Sequence, residues 1–285
     1  MTKISYLNSN FLEHQNCLVH IEDRGFQFAD GAYEVTLYKN KQLIDGKNHL
    51  LRLMRNLQEL NIHHNFTIEE LFLIQQQLFI KNNVTQGICY LQITRGSAVS
   101  RIASCPQNLT PTIVATVNEI QPMSESRFNE GFTLITNPDI RWLRCDIKTV
   151  NLLASTLTNQ KAKDLGFDDA IFVRENIITE ATFANVFILN KQNQLITHPA
   201  NHHILCGITR NRIIKIAQEQ GFEVLEQTFD YNALISAKEV FLTSSSLLIR
   251  PVYKIDHIVF NVQKNFSVAK LLTQKYNIFI DSHFS

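Results

Sequence analysis

The sequence predicts an α+β protein in two unequal parts, and three observations lead there. Through roughly residue 120 the pattern runs strands, then helices, then strands. A polar stretch over residues 118–126 follows, with Pro122, Ser124 and Ser126 interrupting any periodicity. Beyond it the chain is richer in strands, with two well-marked helices. The expected division is residues 1–120 for a smaller N-terminal α+β domain, 121–125 for a linker, and 126–285 for a larger C-terminal α+β domain.

Each element has its own signal. Leu50, Leu53, Met54, Leu57 and Leu60 fall at helical spacing and give one apolar stripe. Thr67 followed by Glu70 is a capping box ahead of a second helix, expected over 71–80. Residues 89–94 and 112–117 are rich in β-branched side chains and read as strands. In the second part, 185–189 and 195–197 flank a polar turn at 190–193 and predict a hairpin. A helix is expected over about 152–165, another after Gly207, and a buried strand at 240–242. The tail beyond Pro251 reads as a helix and a frayed end, 281–285.

Composition narrows the function classes. The 285 residues are 45% hydrophobic and 19% charged with a net charge of +1, which favours neither nucleic acid nor an anionic membrane as partner. No run is apolar enough to span a bilayer, and the N-terminus lacks a signal-peptide core. The five cysteines are widely spaced with no CxxC pair, so neither a disulfide frame nor a zinc ribbon is expected. A reduced, cytoplasmic protein is the expectation. His198, His202 and His203 are close together, but Pro199 breaks any helix that could align them on a metal.

Two residues carry the chemistry. Lys148 follows Trp142 and sits among Ile147, Val150, Leu152 and Leu153. An isolated lysine is ordinarily a solvated surface residue, but apolar neighbours favour the free amine. Such an amine can hold an aldehyde as a Schiff base and then move a proton as base and acid. Glu180, otherwise an ordinary strand-edge glutamate, opens Glu180-Ala181-Thr182-Phe183-Ala184-Asn185-Val186-Phe187. A carboxylate beside a pyridine nitrogen keeps that nitrogen protonated. Pyridoxal phosphate enzymes need both functions.

Around Lys148 and Glu180 the sequence resembles the branched-chain and D-amino-acid aminotransferase family, the fold type IV pyridoxal phosphate enzymes. The resemblance extends from about Ser5 to Pro251 with its motifs in order. It implies pyridoxal 5′-phosphate on Lys148, with Glu180 at the ring nitrogen. The phosphate would be held by four residues. Arg52 falls in His49-Leu50-Leu51-Arg52-Leu53, similar to the family's His-x-x-Arg-Leu motif. Ile208 and Thr209 open a helix after Gly207, where free N–H groups favour an anion, although the Thr209 hydroxyl could equally cap the helix. Ser245 lies in the hydroxyl run 243–246, matching the family's second phosphate loop; such a run is also an ordinary turn.

At the substrate end, residues 22–35 resemble the family's N-terminal active-site strand, which implies Tyr33 facing the substrate carboxylate and Glu34 nearer the lysine. The family's Arg-x-His carboxylate pair corresponds to Arg101 and Ala103, so the histidine is absent; Arg24 or Arg95 could join Arg101. Serines of the family also give way to Phe183 and Ala184. The implied activity is transamination of D-amino acids, D-alanine with 2-oxoglutarate, by a homodimer. An L-branched-chain aminotransferase, an (R)-amine transaminase and an aminodeoxychorismate lyase are the alternatives on this fold, and a cofactor-binding protein without activity is the alternative outside catalysis.

Overall fold

The structure, a computed structural model, describes residues 2–106, 108–260 and 266–282. The chain has the α+β organisation and divides into two compact units, Met1–Gln121 with Ile147–Asn151, and Pro122–Asp146 with Leu152–Ser285.

The first unit runs β1 (Ile4–Leu7), β2 (Asn10–Glu13), α1 (Arg24–Phe28), β3 (Gly31–Lys39), β4 (Gln42–Leu43), α2 (Gly46–Glu59), α3 (Ile68–Lys81), β5 (Gly87–Thr94) and β6 (Thr112–Glu119). Its strands form an antiparallel sheet in the order β2-β1-β6-β5-β3-β4. Leu50, Leu53 and Leu57 of α2 are fully buried, each contributing roughly 1.5–3 kcal/mol. They share one core with Leu71, Leu78 and Phe79 of α3 and with Cys89, Leu91 and Ile93 of β5. The Thr67–Glu70 capping box forms in both directions, Glu70 N–H to Thr67 Oγ1 at 3.1 Å and Thr67 N–H to Glu70 Oε2 at 2.7 Å. The helix starts at Ile68, three residues before the expected 71, because Thr67 is itself the N-cap.

The sequence reading carries Lys148 with the second part, whereas Ile147–Asn151 pack with the first unit. The main chain explains this. Tyr33 N–H donates to the Lys148 carbonyl at 3.0 Å, and Val150 N–H donates to the Gly31 carbonyl at 3.1 Å. Residues 147–151 thus lie along β3 with an isolated bridge from Ala32 to Thr149, and Lys148 is in no regular strand.

The second unit contains α4 (Glu125–Glu130), β7 (Phe132–Pro138), α5 (Leu153–Asp164), β8 (Asp169–Arg174), β9 (Ile177–Ala181), β10 (Asn185–Leu189), β11 (Leu195–Thr197), α6 (Ile208–Glu219), β12 (Val224–Glu226), α7 (Tyr231–Ile235), β13 (Glu239–Ser244), β14 (Leu248–Ile255), β15 (Ile258–Val259) and α8 (Ser267–Ser282). The strands form a mixed sheet, β12-β11-β10-β13-β14-β7-β8-β9, with β15 on β14. β10 is buried along its whole length. Val186 and Ile188 join the core of Leu134, Ile171, Val240 and Leu242, while Phe187 stacks on Phe241 at 5.1 Å.

The expected 185–197 hairpin forms, its turn closed by Asn190 Oδ1 accepting from the Gln192 and Gln194 N–H groups. Beyond Pro251 the expected helix forms as α8, but strands precede it. β14 continues through Pro251 to Ile255, and α8 begins where the buried Glu239 carboxylate accepts from the Val268 and Ala269 N–H groups. Of the expected frayed end, residues 283–285 lie outside the described residues. Among the described residues no helix is long and apolar enough to cross a membrane.

Candidate active site

In the first unit the strand alternation of β3 sends Tyr33 and Glu34 to opposite faces. Tyr33 is the residue against Lys148, whose Nζ stands 4.2 Å from the centre of its ring. The expectation that Glu34 sits nearer the lysine is therefore corrected. Glu34 is fully buried and turned to α2, where Arg52 Nε and Nη2 donate to its two oxygens at 2.7 and 2.8 Å. His49 Nδ1 lies 2.7 Å from Oε2. His49 and Arg52 are three apart, on one helix face, so the His-x-x-Arg spacing grips a single carboxylate. Burial alone would raise the Glu34 pKa, but the Arg52 and His49 contacts outweigh it and hold it at about 2.

The carboxylate-binding candidates separate clearly. Arg24 and Arg95 are buried and both donate to Asp30 at 2.7 Å, and both also hold main-chain carbonyls. Each fixes the fold locally, which corrects their expected availability for substrate. Arg101 is exposed, with its guanidinium 4.7 Å from the centre of the Phe28 ring.

In the second unit Glu180 is the last residue but one of β9 and Asn185 begins β10, with a tight turn between the strands. The buried Glu180 carboxylate accepts from Arg141 Nη1, from Asn185 Nδ2 at 3.2 Å, and from the Leu205 N–H at 3.1 Å to each oxygen. Burial raises its pKa, and the Arg141 charge is the largest opposing influence. Arg141 is itself fixed by Asp139, at 2.9 and 2.8 Å, and lies over the Phe172 ring. Arg141 was not among the residues expected at the site, although it lies within the 140–151 stretch that carries Lys148.

Asn185 continues the network into the helix start. Its Nδ2 donates to the Leu205 carbonyl at 2.8 Å, and a Cβ on Gly207 would stand 2.1 Å from its Oδ1. Only glycine fits there. Gly207 is the N-cap of α6 and offers no side-chain cap. Thr209 is two residues inside the helix, so the capping alternative for its hydroxyl does not apply. The first-turn N–H groups of α6, Ile208 and Thr209 among them, have no acceptor within the helix and point their dipole outward. Ser245 occupies the turn between β13 and β14, half-buried.

These groups suit a pyridoxal phosphate on chemical grounds: an amine on an aromatic face, a buried carboxylate, and a helix N-terminus whose cap position admits no side chain. The fold is that of the fold type IV enzymes. The amino-transferase class IV family model matches residues 31–255. A D-alanine aminotransferase of Bacillus licheniformis is 39% identical over 249 residues, covering 87% of each chain. One from Staphylococcus epidermidis is 37% identical over 286 residues, covering 99% of each. A branched-chain amino acid aminotransferase of Escherichia coli superposes with a TM-score of 0.86 at 22% identity, covering 97% of this chain and 94% of that one. The chain belongs to the class IV aminotransferase family, and it is a pyridoxal phosphate-dependent enzyme.

Proposed function

We propose that the enzyme transaminates D-amino acids, passing the amino group of D-alanine to 2-oxoglutarate and giving pyruvate and D-glutamate. The observation that carries this reading is the 37–39% identity to D-alanine aminotransferases over 87–99% of the chain. The family also leads us to a cytoplasmic homodimer as the working form.

Bound pyridoxal 5′-phosphate supplies an electron-withdrawing ring that makes the substrate α-proton removable. Lys148 would hold the cofactor through its amine, and that amine, once released, would serve as base and then acid for the substrate α-proton. The main-chain bond from Tyr33 fixes the base of that lysine. Glu180 would accept the pyridine N–H of the bound cofactor, with Arg141 and the Leu205 N–H opposing the upward pull of burial on its carboxyl. The Ile208 and Thr209 N–H groups and Ser245 would hold its phosphate. Arg52, oriented by Glu34, would add a guanidinium to it. Tyr33 and Arg101 orient the substrate carboxylate, which decides the face the α-hydrogen presents to Lys148.

The test is the visible spectrum of the purified protein with D-alanine and no oxo acid. Conversion of the cofactor band by D-alanine, its return with 2-oxoglutarate, and no conversion by L-alanine or L-leucine support the proposal. Conversion by L-leucine or an (R)-amine instead would overturn the substrate assignment.

A further inference from the structure

The short helix α1 places Arg24 and Phe28 four residues apart, on one face. Arg24 is 3% exposed and spends its donors downward: Nε on Asp30 at 2.7 Å, Nη1 on the Ile102 and Ser104 carbonyls at 2.6 and 3.3 Å, and Nη2 on the Ala103 carbonyl at 3.4 Å. One buried arginine therefore holds the three main-chain carbonyls that directly follow Arg101. The loop is anchored by its backbone, so the side chain at 103 is not needed for its shape.

Phe28 is half-buried and carries both guanidinium groups, Arg24 at 4.6 Å and Arg101 at 4.7 Å from its ring centre. Among the described residues Arg101 has no other side-chain partner, so the ring is what holds it. A cation over an aromatic face keeps its in-plane N–H donors outward. The loop main chain and the arginine side chain are thus fixed by neighbouring residues of one helix, before any ligand arrives.

We propose that Phe28, backed by Arg24, is the positioning residue that sets the Arg101 guanidinium for the substrate carboxylate. The inference rests on the aminotransferase reading above, in which Arg101 binds that carboxylate.

The test compares Phe28→Leu, Phe28→Tyr, Arg101→Ala and the double variant Phe28→Leu/Arg101→Ala as holoenzymes. Phe28→Leu is expected to raise KM for both the amino acid and the oxo acid by about threefold to fivefold, the scale of a part-exposed cation–π contact, with a much smaller change in kcat. Phe28→Tyr keeps the ring and restores the wild-type KM. In the Arg101→Ala background, Phe28→Leu adds nothing further. If Phe28→Leu leaves KM unchanged while Arg101→Ala raises it, the positioning role is overturned and the role of Arg101 stands. An equal loss from Phe28→Leu in both backgrounds, or no rescue by tyrosine, marks Phe28 as structural only and also overturns the role. If Arg101→Ala has wild-type KM values, the carboxylate reading fails and the proposal with it.

Discussion

Arg52 meets Glu34 in a two-pronged ion pair that is almost wholly out of solvent, with 2.7 Å and 2.8 Å contacts. Breaking a buried pair by removing one partner costs about 3–5 kcal/mol, because the remaining charge stays buried alone. Glu34→Gln is expected to lower stability by that order in chemical denaturation. The pH dependence has a definite sign. The carboxyl falls from its usual 4.5 to about 2 in the folded protein, so its contribution is complete above pH 4.5 and is lost as pH falls from 4.5 toward 2. Melting curves should show wild type losing its advantage over Glu34→Gln across that window; a constant gap would refute the assignment.

Lys148→Ala should abolish turnover without unfolding the protein, because the segment is held through its main chain rather than its amine. A loss of at least about 10²–10⁴-fold, the usual worth of a positioned acid–base group, is the expected result. Far-ultraviolet circular dichroism and the thermal midpoint should stay within error of wild type while single-turnover kinetics collapse.

Burial raises the Glu180 pKa and the Arg141 charge is the largest influence opposing that rise, so Arg141→Met should push it further up. The acid limb of the kcat profile should therefore move to higher pH in the variant. An unshifted limb would mean that Glu180 does not govern it.

Gly207→Ala should cost about 1–3 kcal/mol of stability, the scale of overpacking, and weaken cofactor retention measured by dialysis and absorbance. Shortening the obstructing side chain, as Asn185→Ala, should recover part of the stability in the double variant. Simple addition of the two losses would show that the clash is not the cause.

Local wording was enough to identify some of these groups and not others. Lys148 and Glu180 were legible because each lies in a contiguous motif, and the capping box because its two partners are three residues apart. Arg141 was not legible because its partner Glu180 is 39 residues away. Likewise nothing in the sequence places Asp30 between Arg24 and Arg95, so both looked available to a substrate until the structure showed them bound. The attachment of 147–151 to β3 runs through main-chain bonds, which leave no side-chain signature. β7 pairs in parallel on both sides, with β8 across α5 and with the much later β14, and period-two patterning does not report such neighbours.

The close approach of Gly207 to Asn185 also constrains how this chain can diverge. A descendant that gains a side chain at 207 must displace the amide at 185 or give it up. That amide is tied to Glu180, so the second change would remove a donor from the carboxylate as well. Three positions separated by up to 27 residues are therefore free to drift only as a set. Lineages keeping the charge at 180 should be found with the asparagine and the glycine still in place.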